Sequence, residues 1–267
     1  QWAWAFYDWA NSVYPLVVTT AIFPTFYEAV TSQKGEDGTL ITDKVEFFGY
    51  LFSNTELYSY VISASFLVVS FLSPLLSGLA DFWGNKKFFL KLFCYVGAIS
   101  CGSLYFFNVD YLELSMISVF TASIGCWGSL VFYNAYLPEI AEPEDHDKLS
   151  AQGFSMGYIG SALLLIGILL LIMIGGMNAR YSFPIVMVWW IGFAQYTFLK
   201  LPTYTNESHH EKANLWKGIQ ELKKVWNELK HITLIKRYLS AFFVYSMGVQ
   251  TVLLMAVLFA AKEVDWG

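Results

Sequence analysis

The chain of 267 residues is 56% hydrophobic and 19% aromatic, yet only 14% of its positions are charged, against roughly a quarter in a soluble domain. A soluble core of this length cannot bury so much apolar surface, so lipid is the expected solvent. The net charge of -5 carries no basic footprint for nucleic acid, and no nucleic-acid partner is expected.

Seven apolar windows reach the about 20 residues needed to cross ~30 Å of hydrocarbon. In chain order they are Trp4 to Val30, Leu57 to Ala80, Phe88 to Phe107, Tyr111 to Leu137, Ala151 to Gly175, Tyr181 to Leu199 and Leu239 to Ala261. The expected fold class is therefore all-α, a polytopic membrane helix bundle. The first window opens with Phe6-Tyr7-Asp8-Trp9-Ala10-Asn11-Ser12 and is polar for a membrane helix. Helical spacing puts Asp8, Asn11 and Tyr14 on one face. Two readings of Asp8 stand: a carboxylate facing a cavity or taking part in coupling, or a cap at the headgroup level.

Between the first two windows, Thr31 to Glu56 forms a long loop with turn chemistry at Gly35-Glu-Asp-Gly38. The second and third are joined by the short turn Asp81-Phe-Trp-Gly84-Asn-Lys86-Lys87. The fourth ends Tyr133-Asn134-Ala-Tyr136-Leu-Pro138-Glu139-Ile140, and an acidic run follows with Glu142, Glu144, Asp145, His146 and Asp147. That run reads as a solvated loop more readily than as a cation site. In the fifth window Gly153, Gly157 and Gly160 suit close helix packing. Tyr133, Asn134 and Tyr158 offer donors and acceptors for a polar route, while membrane-interface placement explains the tyrosines equally well.

After the sixth window, Pro202 to Arg237 contains an apolar stripe at Leu215, Ile219, Leu222, Trp226 and Leu229 with lysines largely off it. This amphipathic helix suits either the inner membrane surface or a partner. Of the 16 basic residues, Lys34, Lys44, Arg180 and Lys262 fall on one side of the alternating loops and the other twelve on the opposite side. That bias places the N-terminus in the cytoplasm. The three cysteines, Cys94, Cys101 and Cys126, lie inside apolar windows without CxxC spacing and read as packing residues. No metal-spaced histidine cluster or nucleophile motif occurs, so neither an enzyme nor a cofactor is expected; a proton is the candidate coupling ion.

The pattern Gly78-Leu-Ala-Asp81-x-x-Gly84-x-Lys86-Lys87 resembles the signature loop of major facilitator transporters. Four segments in order, Phe6 to Ser12, Thr19 to Pro24, Tyr133 to Ile140 and Gly153 to Gly160, together resemble the vacuolar effluxer-like branch of that superfamily, its bacterial members more than its fungal ones. The resemblance implies a secondary active transporter of a small polar solute, with amino-acid efflux as the family's association, working by alternating access in a bacterial cytoplasmic membrane. It also implies a division into a six-helix bundle over 1–200, a cytoplasmic linker over 201–238 and the first helix of a second bundle over 239–267, the rest of that bundle and a short N-terminus being absent. Asp8, Asn11, Tyr14, Tyr133, Asn134 and Tyr158 become candidates for the solute path or coupling, and Gly78, Asp81, Gly84, Lys86 and Lys87 for a gating loop. Phe82 and Asn85 depart from the superfamily pattern, in which basic residues are usual. The rival reading is a membrane scaffold or receptor that presents its cytoplasmic loops to a partner. Membrane lipid and a small solute are the expected partners, with oligomeric state open.

Overall fold

The computed structural model describes residues 1–35, 39–83, 85–202, 223, 227 and 231–263, and among them six helical spans are long and apolar enough to cross a membrane. They cover Trp2–Thr31, Asn54–Leu76, Lys86–Phe106, Val109–Ile140, Pro143–Met173 and Ala179–Lys200. The first six expected windows therefore correspond to helices. The seventh falls within a further helix, Thr233–Glu263. The expected amphipathic helix of the linker lies outside the described residues.

The first span is built from α1 (Trp2–Asn11), a π-helical stretch (Tyr14–Ile22) and α2 (Phe23–Thr31). Proline at position 15 has no N–H to continue the α-helical ladder, which favours a wider turn. Threonine hydroxyls then close the wide turns from within: Thr20 Oγ1 donates to the Pro15 carbonyl at 2.8 Å and Thr19 Oγ1 to the Tyr14 carbonyl at 3.5 Å. The remaining long helices are α3 (Asn54–Trp83), α4 (Lys86–Ser103), α5 (Leu112–Ala135), α7 (His146–Met173), α8 (Ser182–Lys200) and α9 (Thr233–Glu263), with a short α6 (Leu137–Ile140) after α5.

The first span is the centre of the bundle. It packs against α7 and α8, while α4 joins α5 to α8 and α3 lies on α5. Burial agrees: 56% of its most apolar stretch is inside the bundle, against 11% for α3 and 28% for the fifth span. Small residues set the closest crossing. A Cβ on Gly125 of α5 would collide with the backbone of Gly97 of α4, so the two helices touch main chain to main chain. At the far end from Asp8, Phe23 packs against Tyr58, Phe107 and Phe183 with ring centroids 5.5, 5.9 and 6.0 Å apart, which joins four spans through one aromatic cluster. On α9, Met255 packs against this core, with its Sδ 3.6 Å from Ser59 Oγ.

The loop between the first two spans contains structure that the all-helical expectation did not include. Strands β1 (Gln33–Lys34) and β2 (Leu40–Thr42) pair antiparallel, as do β3 (Lys44–Phe47) and β4 (Tyr50–Ser53). In the second hairpin Phe47 pairs with Tyr50, so Phe48 and Gly49 form the turn, both at positive φ (49° and 80°). That is the geometry of a two-residue turn matched to strand twist. Glu113 at the start of α5 accepts from the Phe48 backbone N–H at 3.2 Å, which anchors this left-handed phenylalanine.

Candidate functional site

Asp8 lies in the body of α1 (Trp2–Asn11), past its first turn. The capping reading of Asp8 therefore does not describe its position. Its side chain instead enters the junction of α1, α5 and α7 and is 8% exposed. Tyr133 Oη donates to Asp8 Oδ2 at 2.9 Å. The space exists because position 153 is glycine: a Cβ there would stand 2.6 Å from Asp8 Oδ2 and 2.9 Å from Tyr133 Oη. The next two glycines repeat the arrangement, Gly157 receiving Ser12 and Gly160 the Trp9 indole. The glycine row of α7 is thus a mould for the polar face of α1.

Tyr133 is held rigidly. Trp4, one turn before Asp8, stacks on its ring with centroids 4.1 Å apart and planes 7° from parallel, and Trp4 Nε1 donates to the Tyr133 carbonyl at 2.7 Å. Deeper along α1, Asn11 is 2% exposed, and its Oδ1 accepts from Ser129 Oγ at 3.4 Å and from Cys126 Sγ at 3.8 Å. On the opposite side Trp189 Nε1 donates to the Trp9 carbonyl at 3.1 Å. Among the described residues, no basic side chain forms an ion pair with Asp8. A buried carboxyl group with a phenol donor and no cation is costly as a bare anion. Such a group is satisfied by a proton or by a visiting cation, and intramembrane acids of this kind mark ion or solute paths.

The candidates therefore divide. Asp8, Asn11 and Tyr133 come together on the α1–α5 contact. Tyr14 is buried elsewhere, its ring tilted against Trp190 at 5.6 Å. Asn134 is exposed and Tyr158 is 70% exposed, on a part of α7 away from Asp8. Gly78 and Asp81 fall in the last turns of α3, and Gly84 and the Asp81 side chain lie outside the described residues. The two lysines face the neighbouring spans: Lys86 Nζ meets Glu139 Oε1 at 2.6 Å, and Lys87 Nζ donates to the Leu201 carbonyl at 2.7 Å. Asn85, which departs from the superfamily pattern, is the N-cap of α4, its Oδ1 accepting from the Phe88 N–H at 3.1 Å.

Trp4, Cys126, Ser129 and the role of the glycines were not anticipated as parts of this site. Their spacing holds the signal, since Trp4 precedes Asp8 by one turn and Ser129 precedes Tyr133 by one turn, placing each on its partner's face.

The model of the vacuole effluxer Atg22-like family matches residues 1–267. A protein of Bacillus subtilis (strain 168) described as an uncharacterized MFS-type transporter, YxiO, is 28% identical over 266 residues, covering 95% of this chain and 58% of its own length. Autophagy-related protein 22 of Coccidioides immitis (strain RS) is 22% identical, covering 97% of this chain and 59% of its own length. The chain therefore spans somewhat over half the length of these relatives. No solved structure matches it.

Proposed function

The chain belongs to the vacuole effluxer Atg22-like family, and from that premise we propose that it forms the first bundle of a secondary active transporter that exports a small polar solute, an amino acid being the leading candidate. The membrane-transporter class is supported by the family and by the six apolar helical spans. The solute, the direction and the mechanism are our reading, supported by the family description of an effluxer and the MFS-type relative.

One observation carries the mechanism: the buried Asp8 carboxyl group, hydrogen-bonded by Tyr133 and without an ion-pair partner among the described residues. In this reading Asp8 takes up and releases a proton as the bundle rocks against a second one, and Tyr133 supplies a hydrogen bond that favours release. Asn11 and Ser129 extend the polar face toward the centre of the span. Lys86 with Glu139 and Lys87 with the Leu201 carbonyl tie the α3–α4 junction to the ends of the fourth and sixth spans, a lock that must rearrange when the cytoplasmic side opens or closes. The basic-residue bias supports a cytoplasmic N-terminus, and the likeness to the Bacillus protein supports a bacterial cytoplasmic membrane in this reading.

The test is reconstitution of the full-length protein in proteoliposomes with an imposed pH gradient and a panel of labelled amino acids. Gradient-dependent movement of at least one solute is expected. No movement of any panel member, together with binding of a soluble protein to the cytoplasmic loops, would favour the scaffold reading.

A further inference from the structure

The polar face of α1 is held from two flanks, of which one touches Asp8 directly. On the α5 flank Tyr133 Oη donates to Asp8 Oδ2 at 2.9 Å. On the α8 flank Trp189 Nε1 donates at 3.1 Å to the carbonyl of Trp9, the residue that follows Asp8 in the chain. Between these flanks α1 rests on Gly153, Gly157 and Gly160 of α7; a Cβ at position 160 would stand 2.8 Å from the Trp9 ring and 3.1 Å from its carbonyl oxygen. Glycine has no side-chain donor or acceptor, so this row sets how close α1 lies, while the directional hydrogen bonds at its flanks set how it is turned. The turn matters because a side-chain atom about 5–6 Å from the helix axis travels about 1 Å for a rotation of about 10°. That displacement takes the 2.9 Å bond from Tyr133 to Asp8 out of hydrogen-bond range. The Trp189 ring also stacks on Trp9, with centroids 5.6 Å and planes 22° apart, and Phe193 packs on both rings at 4.6 and 6.0 Å. The Trp9 indole N–H is buried without a hydrogen-bond partner among the described residues, so its ring is held by contact, and the bond to its carbonyl is a directional link on this flank.

We infer that Trp189 is a positioning residue for Asp8, an inference that rests on the transporter reading above: by holding the Trp9 carbonyl, its indole N–H fixes the turn of α1 that keeps the Asp8 carboxyl group against Tyr133. The link runs through the main chain, so Trp189 acts without touching the acid or the solute. When α1 turns, the bonds on both flanks lengthen together, and the indole N–H thereby sets the position from which Asp8 exchanges its proton. Phe193 shares the aromatic face but offers no side-chain donor, so it packs there without fixing the turn.

The test measures gradient-driven accumulation of the labelled amino-acid panel by the full-length protein in proteoliposomes over a range of pH. Trp189→Phe keeps a stacking ring and removes the N–H. Accumulation should fall about threefold to tenfold, the scale of one lost hydrogen bond, and its pH profile should move in the same direction as that of Tyr133→Phe. Combining the two substitutions should cost no more than about twofold beyond Tyr133→Phe alone, because both break the same alignment. Phe193→Leu loosens the same aromatic face and should keep the wild-type pH profile. Benzothienylalanine at position 189 keeps the bicyclic ring and lacks the N–H, so it should behave as Trp189→Phe, and it decides the matter if the phenylalanine variant does not fold. A wild-type profile without the N–H, an equal shift in Phe193→Leu, or fully multiplicative losses in the double variant would overturn the inference while leaving Asp8 in place. The transport reading fails separately, and takes the inference with it, if no panel member is accumulated or if Asp8→Asn accumulates as the wild type does.

Discussion

Tyr133→Phe removes the hydroxyl that donates to Asp8 and leaves the aromatic stack on Trp4 in place. Losing a hydrogen bond to a buried acid costs about 1–3 kcal/mol, so transport by the full-length protein should fall roughly tenfold to hundredfold while its yield in the membrane is unchanged. Rates within twofold of wild type would detach Tyr133 from the mechanism. Gly153→Ala acts on the same pair from the other side, since its Cβ would meet both Asp8 Oδ2 and Tyr133 Oη. Overpacking of this kind costs about 1–3 kcal/mol, and a lower unfolding temperature in detergent together with impaired transport is expected. At this scale the sequence was informative about residue type but not about pairing. Asp8 and Asn11 declare themselves as polar groups in an apolar window, whereas the choice of Tyr133 over Asn134 depends on a rotation of about 100° around α5, which periodicity in so uniformly apolar a helix does not determine. Tyr14 is set off from the Asp8 face by its spacing, since six residues at about 100° each leave it about 120° away around the helix, with its ring against Trp190.

The elements were more legible, because membrane spans are dictated by length and hydropathy. The hairpins between the first and second spans were not, since Phe48-Gly49 lacks the asparagine or aspartate that usually announces such a turn, and its left-handed phenylalanine is anchored by Glu113 from a distant helix. The ends of α2 and α3 are joined by another tertiary device: the Asn54 side-chain amide approaches Glu28 Oε2 at 2.8 Å, Thr31 Oγ1 at 3.0 Å and Ser32 Oγ at 3.0 Å while wholly buried. Asn54→Leu strands these acceptors and should destabilise the protein by about 1–3 kcal/mol, read as earlier thermal unfolding; an unchanged midpoint would show that the acceptors find other partners. The Lys86–Glu139 pair differs, being partly exposed at 16% and 31%. Its intrinsic worth is about 0–1 kcal/mol, so Glu139→Gln should barely change stability. It should change the rate at which the cytoplasmic side opens, measured by spin labels across the α3–α4 junction.

For the whole molecule, orientation and completeness matter most. Single cysteines replacing Leu51 in the second hairpin and Glu144 before α7, both exposed, should be labelled from opposite faces of the membrane, with Cys94, Cys101 and Cys126 silent because each is fully buried. Labelling of position 51 from the cytoplasmic face would refute the N-terminus-inside orientation, and labelling of both from one face would refute the span count. Since the chain spans 58% of the length of its Bacillus relative, alternating access as proposed needs a second bundle outside these residues; purified Gln1 to Gly267 should insert in liposomes yet not accumulate solute. The most direct test of the account compares wild-type and Asp8→Asn full-length protein in proteoliposomes, measuring both solute exchange at equal pH and accumulation driven by a pH gradient. The amide keeps the size and polarity of the carboxyl group but cannot ionise, so exchange should persist while gradient-driven accumulation is lost. Accumulation by Asp8→Asn at the wild-type level and with wild-type pH dependence would contradict the central role given to this carboxyl group.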